Sequence, residues 1–551
     1  MTYTPEQQAI FNFVQTGKGH GIIDAVAGAG KTTTIMECAR YAEGPGRVLF
    51  CAFNNSIAKE IKRKFLKRGM PEVTVKTIHS LGLNILMEHR EFARNLQIKE
   101  NKYLHLFKSP EMQEKLSAHI AELVELSRYG GSGGGEAGAF ASKKLLFDIQ
   151  RKLLDINQKH RSCLNGPDFN RFKELVLHYG IFTAAEELKD NFSRSLRVYH
   201  QMHRILLEAG TQMAARRHVI DFTDMIYLPF VWKWEAPVKY KWIFIDECQD
   251  LSKAQFAVAA KYGKKGSRIL AVGDPRQSIY GFTGADAESF DRVKRMTKAK
   301  QLPLTTCFRC PRKVIELAQE IRPDITGAKT KQGLVRYVEP EQITDLVKPD
   351  DLVISRLKAP LLMLAFDLID RNIKVRIAPD EAEDFLNELK GLFKLDERQA
   401  SIKRRYGNFA TLKDQVLARN LWVIRQDAAR ITGGEARQNF LDSETEYLEK
   451  RLKFLAKKHK QWEKSCRTVR ALLKKIASFL EAKKNAVRLS TIHRAKGLEE
   501  RRVFILDFDK LPYIRQQQRA WEMEQEENLK YVAITRAAEA LFLVGSLEED
   551  E

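Results

Sequence analysis

The stretch Ala25, Val26, Ala27, Gly28, Ala29, Gly30, Lys31, Thr32 constrains this chain more than any other. It follows a short apolar run, 21–26, and opens a segment that reads as helix. A glycine-rich turn in that place gathers backbone N–H groups around an anion, and the positive end of the helix adds to them. In the pattern G-x-x-x-x-G-K-[ST] the lysine reaches the β- and γ-phosphates of a nucleotide and the hydroxyl takes Mg²⁺. Lys31 and Thr32 hold those two places, and Ala27, Gly28, Ala29, Gly30 and Thr33 would line the triphosphate. Ala25 stands where the pattern has its first glycine. So short a motif also arises by chance, and the rest of the chain has to decide.

At 551 residues the chain is too long for one hydrophobic core, and roughly three or four domains are expected. Strand patterns at 21–26, 47–53 and 73–76 alternate with helical patterns at 31–41 and 56–67. That alternation implies a parallel sheet covered by helices. From about 85 to 215 the pattern is helical, broken by Gly130, Gly131, Ser132, Gly133, Gly134 and Gly135, which reads as a flexible loop or an introduced linker. Strand patterns return at 242–245, 269–272, 352–355 and 373–377. A second helical, charged block fills about 381 to 484, and strands at 487–490, 503–506 and 541–544 follow. The order describes two α/β units, each interrupted by a helical insert.

The net charge of +22 points to a polyanionic partner. Basic residues gather in runs: Lys62, Arg63 and Lys64 with Lys67 and Arg68, then Lys403, Arg404 and Arg405. The densest run lies in 446–476, with Lys457, Lys458, Lys460, Arg467, Arg470, Lys474 and Lys475. There Leu448, Leu452, Leu455, Trp462, Val469, Leu473 and Ile476 recur at near-helical spacing, so a single helical stretch with a packed face and a basic face is expected. The basic face is either a nucleic-acid contact or simply solvated. Among the seven scattered cysteines, Cys307 and Cys310 lack the second pair that a zinc site needs, and reduced intracellular thiols are the default. Apolar patterning gives no membrane helix and no signal peptide.

Residues 242–247 read as a strand that ends in two carboxylates, Asp246 and Glu247. Beside a phosphate loop, the first would hold Mg²⁺ and the second would take a proton from the attacking water. The strand exit at 269–277 offers Gln277, which can orient water or touch the γ-phosphate. Tyr280 and Phe282 follow on a loop with Gly281 and Gly284; such aromatics either stack on unpaired bases or fill a core. Arg309 and Arg536 are candidates to stabilise charge on a transferring phosphoryl group, against the ordinary reading of surface ion pairs.

Taken in order, these segments resemble the UvrD/Rep-type superfamily 1A DNA helicases. Thr4, Pro5, Glu6 and Gln7 are similar to the family's adenine-reading Q motif, and residues 53–55 and 77–80 to two early strand-contacting motifs. Residues 221–224 resemble DF-x-D, 246–250 resemble DE-x-QD, and 272–282 resemble VGD-x-x-QSIYG with its following aromatic. Residues 491–499 resemble T-x-H-x-AKGLE, and 531–537 resemble YVA-x-TRA. Residues 52–59 look most like the F-box DNA helicase branch, although no F-box region is evident.

The resemblance implies an α/β fold of two RecA-like domains with parallel sheets. The first would comprise 1–85 with 215–290, and the second 291–380 with 485–551. Helical inserts would occupy 86–214 and 381–484, the latter short and basic. ATP and Mg²⁺ would be the cofactors, with ATP between the two domains. Gln7 would read adenine, Phe308 would stack on it, and Glu499 would approach the ribose. Lys31, Thr32, Asp246, Glu247 and Gln277 would serve the phosphates from one side, and Arg309 and Arg536 from the other. Single-stranded DNA would touch Phe53, Asn54, His79, Tyr280, Phe282 and His493. Movement would run 3′ to 5′, acting on single strands and tailed duplexes in replication, recombination or repair. An accessory protein is a further partner to expect. Location would be cytoplasmic and nucleoid-associated in a prokaryote or phage, and nuclear in a eukaryote.

Several positions depart from the pattern: Tyr3 for Leu, Thr33 for an adenine-covering Arg, Cys248 for an aromatic or Ala, and Glu500 for an aromatic. A single-strand translocase that strips proteins from DNA would use the same motor. A nucleotide-gated binding module with little turnover is opposed by the presence of Glu247, Gln277, Arg309 and Arg536. Backbone and stacking contacts would accept RNA as well as DNA.

Overall fold

The computed structural model of the chain describes residues 3–42, 48–128, 136–281, 288–393, 409–428, 434–462, 466, 469–480, 484–514 and 518–546. The Gly/Ser stretch at 130–135, the basic run at 403–405, Arg467 and Phe282 lie outside the described residues. The chain divides into two units, Met1–Cys307 with Arg515–Asn528, and Phe308–Ile514 with Leu529–Glu551.

Strands of the first unit are β1 (Gly21–Ala25), β2 (Val48–Ala52), β3 (Thr74–Thr77), β4 (Gln97–Ile98), β5 (Val219–Ile220), β6 (Tyr240–Ile245), β7 (Gly263–Gly273), β8 (Lys300–Leu304) and β9 (Thr306–Cys307). Six of them form a parallel sheet in the order β3-β2-β6-β7-β1-β8. Ile22, Leu49, Phe50, Ile243, Phe244, Leu270 and Ala271 are fully buried, as expected of continuous apolar strands covered on both faces. β8 is not evident in the sequence pattern, because Lys-Gln-Leu-Pro-Leu carries a proline and only two inward apolar residues. It pairs with β1 from Gly21↔Lys300 to Ala25↔Leu304, so the first unit continues through Cys307 and the division at 290/291 is displaced.

Helices fill the interval between β3 and β6, among them Pro110–Arg128, Glu136–Ser162, Phe169–His178 and Phe192–Arg217. They enclose their own core of Phe107, Leu116, Ile149, Leu153, Ile156, Phe172 and Met202, separate from the one under the sheet. A buried ion cluster ties these helices to the helix Phe222–Val231. Lys102 Nζ lies 2.6 Å from Asp224 Oδ2, and Arg161 Nη1 lies 2.7 Å from Asp221 Oδ1 and 2.9 Å from Asp224 Oδ1. Asp221 also caps that helix, accepting from the Asp224 N–H at 2.7 Å. The DF-x-D segment is thus an anchor for the insert.

In the second unit, β10 (Thr326–Gly327) precedes a sheet of β11 (Leu334–Val338), β12 (Leu352–Ser355), β13 (Val375–Arg376), β14 (Val487–Thr491), β15 (Glu500–Ile505) and β16 (Ala537–Val544). Its order is β11-β16-β15-β12-β14-β13, parallel throughout. The strand pattern at 373–377 shrinks to Val375–Arg376, and β11, exposed along most of its length, has no counterpart in the sequence reading. The stretch expected to be one helix at 446–476 is two, Gly434–Gln461 and Val469–Leu480. Leu448, Leu452, Leu455, Leu473 and Ile476 pack into one core with Val353, Val487 and Phe504 of the sheet, so this insert shares the sheet's core. Among the described residues no helix is long and apolar enough to cross a membrane.

Candidate functional site

In an open parallel sheet, ligand-binding residues collect at the carboxyl ends of the strands. β6, β7 and β1 are neighbours in the first sheet, and the segments that leave them carry most of the candidate residues. The loop after β1 turns through Gly28 (φ 68°) and Gly30 (φ 77°), left-handed conformations that a β-carbon disfavours. Lys31 and Thr32 then open the helix Lys31–Tyr41, while Ala27 and Ala29 are fully buried beneath the turn. Ala25 is itself fully buried as the last residue of β1, which leaves the turn to Gly28 and Gly30.

The end of β6 meets this loop. The Thr32 hydroxyl donates to Asp246 Oδ2 at 2.8 Å, and Lys31 Nζ lies 3.7 Å from Glu247 Oε2. Burial, reinforced by the neighbouring Glu247 charge, pushes the Asp246 carboxyl up to about 7, against the opposing pull of the Thr32 hydroxyl and Lys31. A buried carboxylate and a hydroxyl side by side, short of positive charge, suit a hard divalent cation with oxygen ligands. Glu247 adopts φ 52°, uncommon for a residue with a β-carbon, and its N–H bonds to Asp246 Oδ1 at 3.0 Å.

The β7 exit is joined to the same carboxylates by a residue to which the sequence reading gives no role. Gln249 donates from Nε2 to Glu247 Oε2 at 2.6 Å and accepts the Asp274 N–H on Oε1 at 3.1 Å. A β-carbon placed at Gly273 would lie 2.5 Å from Gln249 Oε1 and 2.8 Å from Cys248 Sγ, so a larger residue there would push the Gln249 amide from its place. Asp274, fully buried, takes the Gln277 Nε2 donor at 2.8 Å. Glu247, Gln249, Asp274 and Gln277 therefore form one chain of bonds. Gln249 and Asp274 stand inside recognised motifs, yet spacing along the sequence does not say that they meet.

Gln7 is buried. Its Oε1 accepts the Thr4 N–H at 3.1 Å in a capping box, and its Nε2 donates to Thr34 Oγ1 at 3.0 Å on the helix after the loop. Thr33 is half-buried in the first turn of that helix, with Lys31.

Of the strand-contacting candidates in the first unit, Phe53 and Tyr280 come together as a stacked pair, with ring centroids 6.1 Å apart and planes at 19°. Phe53 is 38% exposed. Asn54 is exposed but caps the helix Asn55–Lys67, its Oδ1 accepting the Ile57 N–H at 2.9 Å. His79 lies in the first turn of the helix Ile78–Met87, and burial lowers its imidazole.

The second unit holds the remaining candidates. Phe308 is 45% exposed. Arg309 donates from Nε to Glu499 Oε2 at 2.5 Å and from Nη1 to the Thr535 carbonyl at 3.1 Å. Arg536 is buried and donates to the carbonyls of Val532 (2.8 Å) and Leu498 (3.1 Å) and to Thr535 Oγ1 (3.1 Å). Thr535 thus accepts from both arginines. His493 sits on the turn Ile492–Ala495, and burial, helped by the charge of Arg356, pushes its imidazole down to about 4.

Residues 3–298, more than half of the chain, match the UvrD/REP helicase N-terminal domain, and residues 486–544 match the UvrD-like helicase C-terminal domain. Among curated relatives, DNA helicase IV of Escherichia coli K12 is 25% identical over 325 residues, covering 55% of this chain and 43% of that protein. ATP-dependent DNA helicase Rep of Buchnera aphidicola is 23% identical, covering 53% and 39%. ATP-dependent DNA helicase PcrA of Staphylococcus aureus is 24% identical, covering 58% and 40%. The chain therefore spans about two fifths of the length of these relatives. With the family's N-terminal domain matched over residues 3–298 and its C-terminal domain over 486–544, the chain belongs to the UvrD/REP helicase family.

Proposed function

We propose that this protein hydrolyses ATP in response to single-stranded DNA and uses the turnover to move 3′ to 5′ and unwind duplex. The observation that carries the reading is the convergence of Lys31, Thr32, Asp246 and Glu247 at neighbouring strand ends. Lys31 supplies positive charge to the β- and γ-phosphates, and the N–H groups around Gly28 and Gly30 bind the same oxygens. Thr32 and Asp246 would hold Mg²⁺, which would supply neutralisation of the charge on the phosphate oxygens. Glu247 takes the proton of the attacking water, and Gln277 reports the γ-phosphate through Asp274 and Gln249. We assign Gln7 and Phe308 to the adenine, Glu499 to the ribose, and Arg309 and Arg536 to the developing phosphoryl charge. Phe53, Tyr280 and Phe282 stack on unpaired bases, with Asn54, His79 and His493 beside the strand.

The test is steady-state ATPase activity with and without oligodeoxynucleotide, followed by strand displacement on duplexes carrying a 3′ or a 5′ tail. Stimulation by the oligonucleotide and displacement from 3′ tails are expected. An ATPase indifferent to DNA would overturn the motor reading, and displacement from 5′ tails alone would overturn the polarity. Lys31→Ala should abolish turnover while leaving oligonucleotide binding largely intact.

A further inference from the structure

The helix Asn55–Lys67 begins directly after Phe53 and Asn54 and buries Ile61 and Phe65 against the first unit. Its opposite side is basic. Lys64 is paired with Glu60 at 2.6 Å, and beyond the helix Arg68 is paired with Glu37 at 3.1 Å. Lys59, Lys62, Arg63 and Lys67 are exposed and make no ion pair within 4 Å among the described residues, although the Glu60 carboxylate that pairs with Lys64 also attracts Arg63. Offsets of three, four and eight residues spread these four over an arc of about 140° that faces away from Ile61, with Lys62 at the edge beside Phe65. From Lys59 to Lys67 the ridge runs about 12 Å along the helix axis.

The denser basic run at 446–476 is spent differently. Lys457 and Lys458 share Asp370 at 2.6 and 2.9 Å, and Lys475 lies over the Trp462 ring at 4.6 Å. Its lysines are in part already neutralised or stacked, whereas the ridge on Asn55–Lys67 is not. Unpaired like charges three and four residues apart weaken a helix, and a polyanion laid along them reverses that effect.

We propose that Lys59, Lys62, Arg63 and Lys67 form a track for the sugar-phosphate backbone of a single DNA strand whose bases meet the Phe53–Tyr280 pair. The inference rests on the strand-binding reading above and extends it to a surface that lies beyond the strand-contacting segment at 53–55. A ridge of that length spans about two phosphates of an extended strand.

The experiment is equilibrium binding of a fluorescein-labelled oligodeoxythymidine at a series of NaCl concentrations. Wild type is compared with the triple variant Lys59→Ala/Lys62→Ala/Arg63→Ala and with the charge-keeping variant Lys59→Arg/Lys62→Arg. All three positions are exposed, and thermal unfolding checks that the variants keep the wild-type fold. The slope of log K against log[NaCl] should become shallower by about 1.4 in the triple variant, at about 0.7 for each of two phosphates, and stay at the wild-type value in the arginine variant. An unchanged slope in the triple variant, with wild type binding normally, overturns the track and leaves the proposed function standing. A slope change seen on a blunt duplex but not on the single strand also overturns it, assigning the ridge to duplex DNA. Absence of oligonucleotide binding by wild type overturns the strand-binding reading itself, and the track with it.

Discussion

Gln249 holds Glu247: its Nε2 donates to Glu247 Oε2 at 2.6 Å while its Oε1 takes the backbone N–H of Asp274 at 3.1 Å. One amide thereby links the acid at the end of β6 to the loop that leaves β7. Gln277 bonds to the same Asp274, so three hydrogen bonds connect Gln277 to the Glu247 carboxylate.

That geometry makes Gln249 a positioning residue. Gln249→Ala should lower the kcat of ATP hydrolysis by about 10- to 100-fold, the scale of a misplaced catalytic group, with little change in the KM for ATP. Glu247→Gln should cost more, about 10²- to 10⁴-fold, because it removes the group proposed above as the base. Steady-state ATPase kinetics check both, and a rise in KM at unchanged kcat for Gln249→Ala would sink the assignment.

The two arginines around Thr535 should separate in a stability measurement. Arg309 is bound by one side-chain carboxylate and one carbonyl near the surface, whereas Arg536 is 1% exposed and fills carbonyl and hydroxyl acceptors on three residues. Arg309→Ala should reduce kcat by about 10²-fold or more without moving the thermal midpoint. Arg536→Ala should in addition destabilise the fold by about 3 kcal/mol, through stranded acceptors and a lost buried side chain. Equal midpoints for the two variants in thermal unfolding would contradict this division.

Lys102 and Asp224 are both fully buried at their side chains, and Arg161 is the remaining cation at the cluster. Lys102→Ala removes one partner of a buried pair and should cost about 3–5 kcal/mol, because Asp224 keeps its desolvation and loses half of its compensation. Urea unfolding monitored by circular dichroism measures it. A loss below about 1 kcal/mol would mean that the cluster does not anchor the insert.

His160 and His203 lie face to tilted face in the first insert, with ring centroids 4.6 Å apart, and both are buried. Burial, helped by the charges of Arg161 and His200, pushes His160 down to about 4, and burial also lowers His203. The native protein therefore binds no proton at these rings where the unfolded chain, near 6.5, does. Their contribution to stability is complete above about pH 6.5 and is lost as the pH falls toward 4. The thermal midpoint should be level between pH 7 and 8 as far as these groups are concerned, and should drop below about pH 6. In His203→Leu the drop should be shallower, and an identical acid slope in that variant would refute the attribution.

Local physics is legible in the chain without coordinates. The apolar runs that form β1, β2, β6 and β12, the helix Lys31–Tyr41 and the left-handed glycines of the loop follow from hydrophobic pattern and backbone sterics over a few residues. Where the pattern is weak the reading fails. β8 with its proline and β11 with its exposed face are strands because partners already in place supply their hydrogen bonds, and no local preference announces that. The stretch 446–476 reads as continuous because hydrophobic period alone does not mark the break between Gln461 and Val469.

By itself the sequence determined which residue types stand ready: a lysine and a threonine after a glycine-rich turn, paired acids at a strand end, aromatics on a loop, and an excess of positive charge. Only the tertiary structure decided which of them meet. Thr32 and Asp246 are 214 residues apart and 2.8 Å apart in space because β1 and β6 both flank β7, and strand order is set by packing across the whole sheet. It also decided which charges remain available, neutralising Lys457 and Lys458 on Asp370 and leaving Lys59, Lys62 and Arg63 exposed. Pairing of this kind depends on distances through space, and a one-dimensional pattern carries no such distances.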